Sequence, residues 1–145
     1  MYNTNANFGA KCSKVFWFGY KKTVLVDMGS GLIIDVLITS ASVADSKAAE
    51  SILPNSGATV ADKGYLGLEG KAKENGLHTM IIKRNNMKTN NKDYDRFLTK
   101  LRSPYESVFS KRDNLTRFKG KENNQAIEYM IATAFNMSRA LALIS

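Results

Sequence analysis

Cysteine and histidine are nearly absent from this chain of 145 residues, which contains only Cys12 and His78. A single cysteine excludes an intrachain disulfide and indicates a reducing compartment. One cysteine and one histidine also cannot supply the ligands of a Cys/His zinc site. We therefore interpret Cys12 as incidental and assign no catalytic role to His78, which follows a predicted turn.

Long apolar runs are absent as well. No stretch approaches the roughly 20 apolar residues that a membrane-spanning helix needs. The first eight residues, Met-Tyr-Asn-Thr-Asn-Ala-Asn-Phe, have neither the positive charge nor the apolar stretch of a secretory signal. These two absences predict a cytoplasmic protein that has no membrane partner.

Acidic residues are scarce relative to basic ones, with 13 against 21, which gives a net charge of +8. Residues 1–60 hold five basic and four acidic residues, whereas residues 83–121 hold twelve basic and four acidic ones. Basic clustering of this kind favours a polyanionic partner, most often nucleic acid. A solvated basic surface without a partner is the alternative.

The order of predicted elements is β-β-α-β-α-β-α-α, which is typical of an α/β domain with a mixed sheet and flanking helices. Residues 1–15 are polar and aperiodic and are predicted to be irregular, and residues 16–145 to form one domain. The predicted strands are residues 16–27, 32–39, 58–62 and 79–83. The predicted helices are residues 42–53, 66–75, 94–112 and 122–143, and Pro104 is expected to kink or restart the third of these.

The last predicted helix carries an apolar stripe at spacings of three and four residues. Core packing is the expected role of this stripe, in preference to a binding role. Its members are Ala126, Ile127, Met130, Ile131, Ala134, Phe135, Ser138, Leu141 and Ala142.

Two acidic residues stand out by position. Asp62 ends the third predicted strand, and Glu106 follows 44 residues later on a predicted helix. Functional groups of open α/β sheets gather at the carboxyl ends of strands, and paired carboxylates suit a divalent cation. In the alternative, Asp62 caps the following helix and Glu106 pairs with Arg102 at a spacing of four. Spacing alone favours the alternative.

Two stretches centred on acids are specific, Val60-Ala61-Asp62-Lys63-Gly64-Tyr65 and Arg102-Ser103-Pro104-Tyr105-Glu106-Ser107-Val108-Phe109. Both resemble segments of the DDE transposases of bacterial insertion sequences, whose catalytic domain has an RNase H-like fold. Supporting matches are Phe18-Gly19-Tyr20-Lys21, residues 31–36, Ser42-Val43-Ala44-Asp45-Ser46 and residues 117–143, which include Ala134, Asn136, Met137 and Arg139.

The resemblance implies that Asp62 and Glu106 are the second and third catalytic acids and that they bind Mg²⁺ or Mn²⁺. It also implies DNA as the partner, both transposon ends and target, and contacts to DNA from Lys63, Arg102, Lys111 and Arg112. The sequence departs from the family's Tyr-Arg-Glu-Lys signature, with Thr99 in place of the tyrosine and Asp113 in place of the lysine.

The largest departure concerns the family's first catalytic aspartate, which lies on a strand before the Phe-Gly-Tyr-Lys segment. No acid precedes that segment here, and Asp27 is interpreted as a turn residue instead. The resemblance therefore implies a carboxyl-terminal fragment that lacks the first strand, keeps two of three acids and is inactive alone. A homodimer or an amino-terminal transposase fragment is the expected protein partner. The alternative is a non-catalytic module that binds DNA or complements a separately encoded amino-terminal part.

Overall fold

The computed structural model describes residues 5–12, 14–84, 86–87, 91–110 and 119–144. The chain divides into two compact units, one formed by Met1–Ala44 with Asp113–Ser145 and the other by Asp45–Arg112. The sequence predicted one domain over residues 16–145, and the two units are described separately below.

The first unit contains a three-stranded antiparallel sheet in the order β1-β2-β3. Its strands are β1 (Asn7–Cys12), β2 (Val15–Val26) and β3 (Ile33–Ser40). The predicted hairpin of β2 and β3 is confirmed. Asp27 closes its turn, because Asp27 Oδ2 accepts hydrogen bonds from Ser30 N at 2.7 Å and Ser30 Oγ at 2.6 Å. These bonds also lower the pKa of Asp27, so its interpretation as a turn residue holds.

β1 lies inside the segment that was predicted to be irregular, which corrects that expectation. Its sequence has little strand propensity, but pairing with the much longer β2 provides the backbone partners. The Phe8 and Phe18 rings form an edge-to-face pair across the two strands at 5.1 Å. Gly9 also permits β1 to lie close to Ala41 and Trp17, since a Cβ at this position would be 2.8 Å from atoms of both residues.

Helix α4 (Lys121–Ile144) attaches to the outer edge of β3 through two amide side chains. Asn136 accepts a hydrogen bond from Ile33 N and donates one to Ile33 O, both at 2.8 Å. Gln125 accepts from Ile38 N at 2.8 Å and donates to Val36 O at 2.6 Å. The two amides therefore bind β3 as a neighbouring strand would, and they cover backbone groups at the sheet edge.

Spacing along the two elements explains why both amides reach the strand. Gln125 and Asn136 are eleven residues apart, which is about 16 Å along a helix that rises 1.5 Å per residue. Ile33 and Ile38 are five residues apart, which is also about 16 Å along a strand. A third contact, from Arg139 Nε to Ser30 O at 3.0 Å, extends the attachment to the turn before β3.

The apolar stripe of α4 is not the face that the helix buries, which corrects the prediction of core packing. The buried residues of α4 are Asn124, Glu128 and Ala132. Glu128 pairs with Lys22 of β2 at 3.5 Å. The helix turns this mostly polar face toward the sheet because amide side chains, unlike methyl groups, form hydrogen bonds with the unpaired backbone groups of β3.

The second unit combines parallel strands with helices. In chain order it contains helix α1 (Asp45–Glu50), strand β4 (Ala58–Ala61), a 3₁₀ turn (Lys63–Tyr65), helix α2 (Glu69–Glu74), strand β5 (His78–Ile81) and helix α3 (Lys92–Ser110). β4 and β5 pair in parallel. The buried hydrophobic cluster of this unit consists of Ala49, Ala61, Leu68 and Ile81.

Helix α3 runs through Pro104 as one element, whereas a kink or a restart was predicted there. Pro104 is exposed, so water can bind the carbonyl that loses its helical partner. Glu106 consequently lies in the body of α3, on the same helix as Arg102.

Candidate active site

Asp62 directly follows β4, at the carboxyl end of the strand, as the sequence predicted. Its Oδ1 accepts a hydrogen bond from Lys63 N at 2.7 Å, and its carbonyl accepts one from Tyr65 N at 2.9 Å. Asp62 is thus the N-cap of the 3₁₀ turn Lys63–Tyr65. The capping role proposed as an alternative is present, although the capped element is this short turn and not α2.

Arg102 of α3 connects the helix with the end of β4. Its Nη1 lies 3.8 Å from Asp62 Oδ1, and both side chains are partly exposed. The alternative interpretation paired Arg102 with Glu106, but the ion pair that the described residues show for Arg102 is with Asp62. A cation from α3 therefore lies beside the strand-end carboxylate.

Tyr65 and Asp45 belong to the same neighbourhood. Burial raises the pKa of Tyr65, the charges of Asp45 and Asp62 raise it further, and the Arg102 guanidinium opposes them. Asp45 also lies close to the 3₁₀ turn, because a Cβ on Gly64 would be 3.3 Å from Asp45 Oδ2. Two carboxylates, one guanidinium and one phenol thus form an electrostatically coupled group.

The raised pKa of Tyr65 predicts a loss of stability at high pH. The folded state favours the neutral phenol, so this contribution is complete below the unfolded pKa of about 10 and is lost as pH rises through the higher folded pKa. We expect Tyr65→Phe to lose less stability than the wild type between about pH 9 and 11. Denaturant unfolding followed by far-UV circular dichroism measures this, with the exposed Tyr94→Phe as the control. Equal losses in wild type and Tyr65→Phe would contradict the assignment.

Glu106 is exposed and lies one helical turn beyond Arg102. Side chains four residues apart on a helix have Cβ atoms about 5–6 Å apart, so Glu106 neighbours the residue that contacts Asp62. Within the described ranges, no three Asp, Glu, His or Cys side chains are grouped closely enough to hold a metal ion.

The predicted DNA contacts fall into two sets. Lys63 is exposed at the start of the 3₁₀ turn, next to Asp62, and Arg102 makes the ion pair described above. Lys111 and Arg112 lie outside the described residues, as does Asp113.

Sequence reasoning missed the involvement of Asp45 and Tyr65. Both were part of matched segments, but neither had been assigned to the site. Tyr65 could have been found from its position three residues after Asp62, where a 3₁₀ turn returns its ring toward the strand end. Asp45 had no comparable signal, because its approach to the 3₁₀ turn depends on how α1 packs.

The class of the protein follows from these observations. Antiparallel and parallel strands with helices confirm the α/β prediction, and they are compatible with an RNase H-like DDE transposase domain. A family model described as "Transposase DDE domain" matches residues 3–139. The chain therefore belongs to the transposase DDE domain family.

Comparisons with curated proteins and with solved structures gave no match. None of the helices in the described part of the chain is both long and apolar enough to cross a membrane.

Proposed function

We propose that this chain is the carboxyl-terminal part of a transposase catalytic domain, in which Asp62 and Glu106 bind a divalent metal at the DNA strand to be cut. One observation carries the proposal: Asp62 stands at a strand end and contacts α3 through Arg102, one turn from Glu106. The pair thus comes from the two elements that the family motifs specify. The DNA partners are transposon ends and target DNA, in the cytoplasm and at the nucleoid of a bacterium.

The donor chemistry fits Mg²⁺ or Mn²⁺, because both residues offer carboxylate oxygens and no softer ligand is involved. A bound ion of this kind supplies Lewis-acid activation of a water or a 3′-hydroxyl. Arg102 now balances the charge of Asp62, so it competes with a metal for the same oxygen. Asp62 and Glu106 are two ligands where intact relatives use three, so metal affinity and positioning are weak in this chain alone.

Lys63 and Arg102 have a second role in this proposal, which is to bind the DNA backbone beside the metal ligands. Lys63 is exposed next to Asp62, and the sequence segment 83–121, which includes Arg102, holds twelve basic residues against four acidic ones. Phosphate contacts of this type position the duplex without reading its sequence. The metal ligands and the phosphate contacts then act on the same strand.

Removing either cation is expected to weaken DNA binding uniformly across sequences. Each of Lys63→Ala and Arg102→Ala should reduce the slope of log affinity against log salt by about 1. Fluorescence anisotropy with two unrelated duplexes at several salt concentrations measures this. Lys71→Ala is the matched control, because Lys71 is already paired with Glu74 at 2.9 Å. An unchanged slope in both variants would exclude a DNA role for these residues.

A second candidate function is a non-catalytic module that binds DNA or complements a separate amino-terminal part. The Asp62–Arg102 ion pair favours it, since a guanidinium lies 3.8 Å from the Asp62 Oδ1 atom that a metal would bind. Mn²⁺ binding that depends on Asp62 and Glu106 separates the two candidates, because only the first makes these carboxylates metal ligands. Efficient nicking by the chain alone that Asp62→Ala abolishes would contradict both the module and the proposed inactivity of the isolated chain.

A further inference from the structure

Asp45 lies on the side of α1 that packs next to the end of β4. It is the first residue of this helix and precedes Ala49 by one helical turn. Residues four positions apart share a helix face, so Asp45 and Ala49 lie on one side of α1. Ala49 belongs to the buried cluster that also contains Ala61, the residue directly before Asp62. The packing of Ala49 therefore brings Asp45 to the carboxyl end of β4.

The carboxylate of Asp45 lies against the 3₁₀ turn at Gly64. A Cβ at position 64 would be 3.3 Å from Asp45 Oδ2, which is closer than an ordinary van der Waals contact. The φ angle of Gly64 is not positive, so no left-handed conformation accounts for a glycine at this position. The missing side chain of Gly64 instead leaves the space beside which the Asp45 carboxylate lies.

The turn that Asp45 contacts also fixes the Asp62 carboxylate. Asp62 Oδ1 accepts a hydrogen bond from Lys63 N at 2.7 Å, and Asp62 O accepts one from Tyr65 N at 2.9 Å. The Tyr65 side chain packs against the buried cluster and anchors the far end of the turn. Gly64 lies between these attachment points, so a shift of Gly64 moves Lys63 N and, with it, the Asp62 carboxylate.

The electrostatics of Tyr65 agree with this placement of Asp45. Burial makes the largest contribution to the raised pKa of Tyr65, and Asp45 raises that pKa more than Asp62 does. Because the effect of a charge falls with distance, the Asp45 carboxylate lies close to the end of the turn. Asp45 thus neighbours two successive residues of the turn, Gly64 and Tyr65.

We propose that Asp45 is a positioning residue, whose carboxylate holds the 3₁₀ turn and thereby keeps the Asp62 carboxylate in the orientation that binds the metal ion. This inference rests on the proposed function. Asp45 acts through the turn and not as a ligand, because in the described part of the chain it does not join Asp62 and Glu106 in a group able to hold a metal. Residues that orient metal ligands in this way typically change metal affinity 10–100-fold.

Titration of Mn²⁺ followed by electron paramagnetic resonance tests this role, with far-UV circular dichroism as the check on folding. Asp45→Ala should weaken Mn²⁺ binding by about tenfold, whereas Asp45→Asn keeps the size of the side chain and should stay within about threefold of wild type. Glu50→Ala is the matched control, because it removes a carboxylate of α1 that pairs with Lys47 at 3.3 Å. Equal affinity of Asp45→Ala and wild type, or equal losses in Asp45→Ala and Asp45→Asn, would overturn the proposal.

A double-mutant cycle tests the contact between Asp45 and Gly64. The methyl group of Gly64→Ala displaces the Asp45 carboxylate, so this variant should weaken Mn²⁺ binding by about threefold. In the Asp45→Ala background the obstacle is gone, and Gly64→Ala should cause no further loss. Additive losses would contradict the contact.

Asp62→Asn distinguishes failure of this proposal from failure of the proposed function. If Asp62→Asn weakens Mn²⁺ binding and Asp45→Ala does not, the metal site stands and the positioning role is wrong. If neither variant weakens Mn²⁺ binding, both the metal site and the positioning role are wrong.

Discussion

Asn136→Leu is expected to lower the free energy of unfolding of the first unit by about 2–4 kcal/mol. The substitution leaves Ile33 N and Ile33 O, which now bond to Asn136 at 2.8 Å, without partners at a buried residue. An unsatisfied buried group costs about 1–3 kcal/mol, and leucine makes neither bond. Gln125→Leu should have a similar effect, since Gln125 holds Ile38 N and Val36 O in the same way.

Fluorescence of Trp17 reports this unit specifically, because Trp17 is the single tryptophan of the chain and lies in β2. The free energy of unfolding of Asn136→Leu, measured by Trp17 fluorescence in denaturant, should therefore show the full decrease. Ser138→Leu is the matched control, an exposed polar residue on the same helix. Asn136→Asp adds a finer test. It keeps the acceptor for Ile33 N, but it replaces the amide that donates to Ile33 O with an oxygen that cannot donate. A midpoint unchanged in Asn136→Leu would contradict the attachment of α4 to the edge of β3.

Supplying the first catalytic aspartate from outside is expected to raise magnesium-dependent nicking by at least about 10-fold. The basis is that loss of even an outer-shell partner of a metal ligand costs 10–100-fold, so loss of a ligand costs no less. The polypeptide encoded directly upstream of this reading frame is the piece to add. Conversion of supercoiled to nicked plasmid, with each piece alone and with the mixture, measures the gain.

The controls locate that gain in the proposed site. Asp62→Asn and Glu106→Gln should each abolish nicking by the mixture, because each removes a negative ligand while keeping the size of the side chain. Asp93→Asn, on the exposed first turn of α3, should have no effect. No gain on mixing would contradict complementation, and a gain insensitive to Asp62→Asn would place the chemistry elsewhere.

Much of the fold follows from local sequence. The turn at Asp27 with Gly31, the hairpin of β2 and β3, and the long helix α4 are encoded by neighbouring residues, and their predictions agree with the structure. β1 was missed because its stability comes from pairing with β2 and from the contact of Phe8 with Phe18. The buried face of α4 was predicted wrongly because hydrophobic periodicity assumes that a helix packs against an apolar surface. In this protein α4 instead packs against the polar backbone edge of β3.

The candidate site was predictable in part for a related reason. The motifs predict Asp62, Glu106 and Arg102 as site residues, and the strand-end position of Asp62 followed from the pattern of β4. The partner of Arg102 was not predictable, because a spacing of four on one helix favoured Glu106 over a residue 40 positions away. Interactions between elements distant in sequence, such as the ion pair of Asp62 with Arg102 or the electrostatic effect of Asp45 on Tyr65, depend on packing that no local pattern records.

Titration of Mn²⁺ followed by electron paramagnetic resonance tests most directly whether Asp62 and Glu106 bind metal. We expect one weak site, in the millimolar range, that both Asp62→Asn and Glu106→Gln weaken and that Asp93→Asn leaves intact. Arg102→Gln should bind Mn²⁺ more tightly than wild type, because it removes the cation now 3.8 Å from Asp62 Oδ1. Mn²⁺ binding that is the same in wild type, Asp62→Asn and Glu106→Gln would contradict the proposed site.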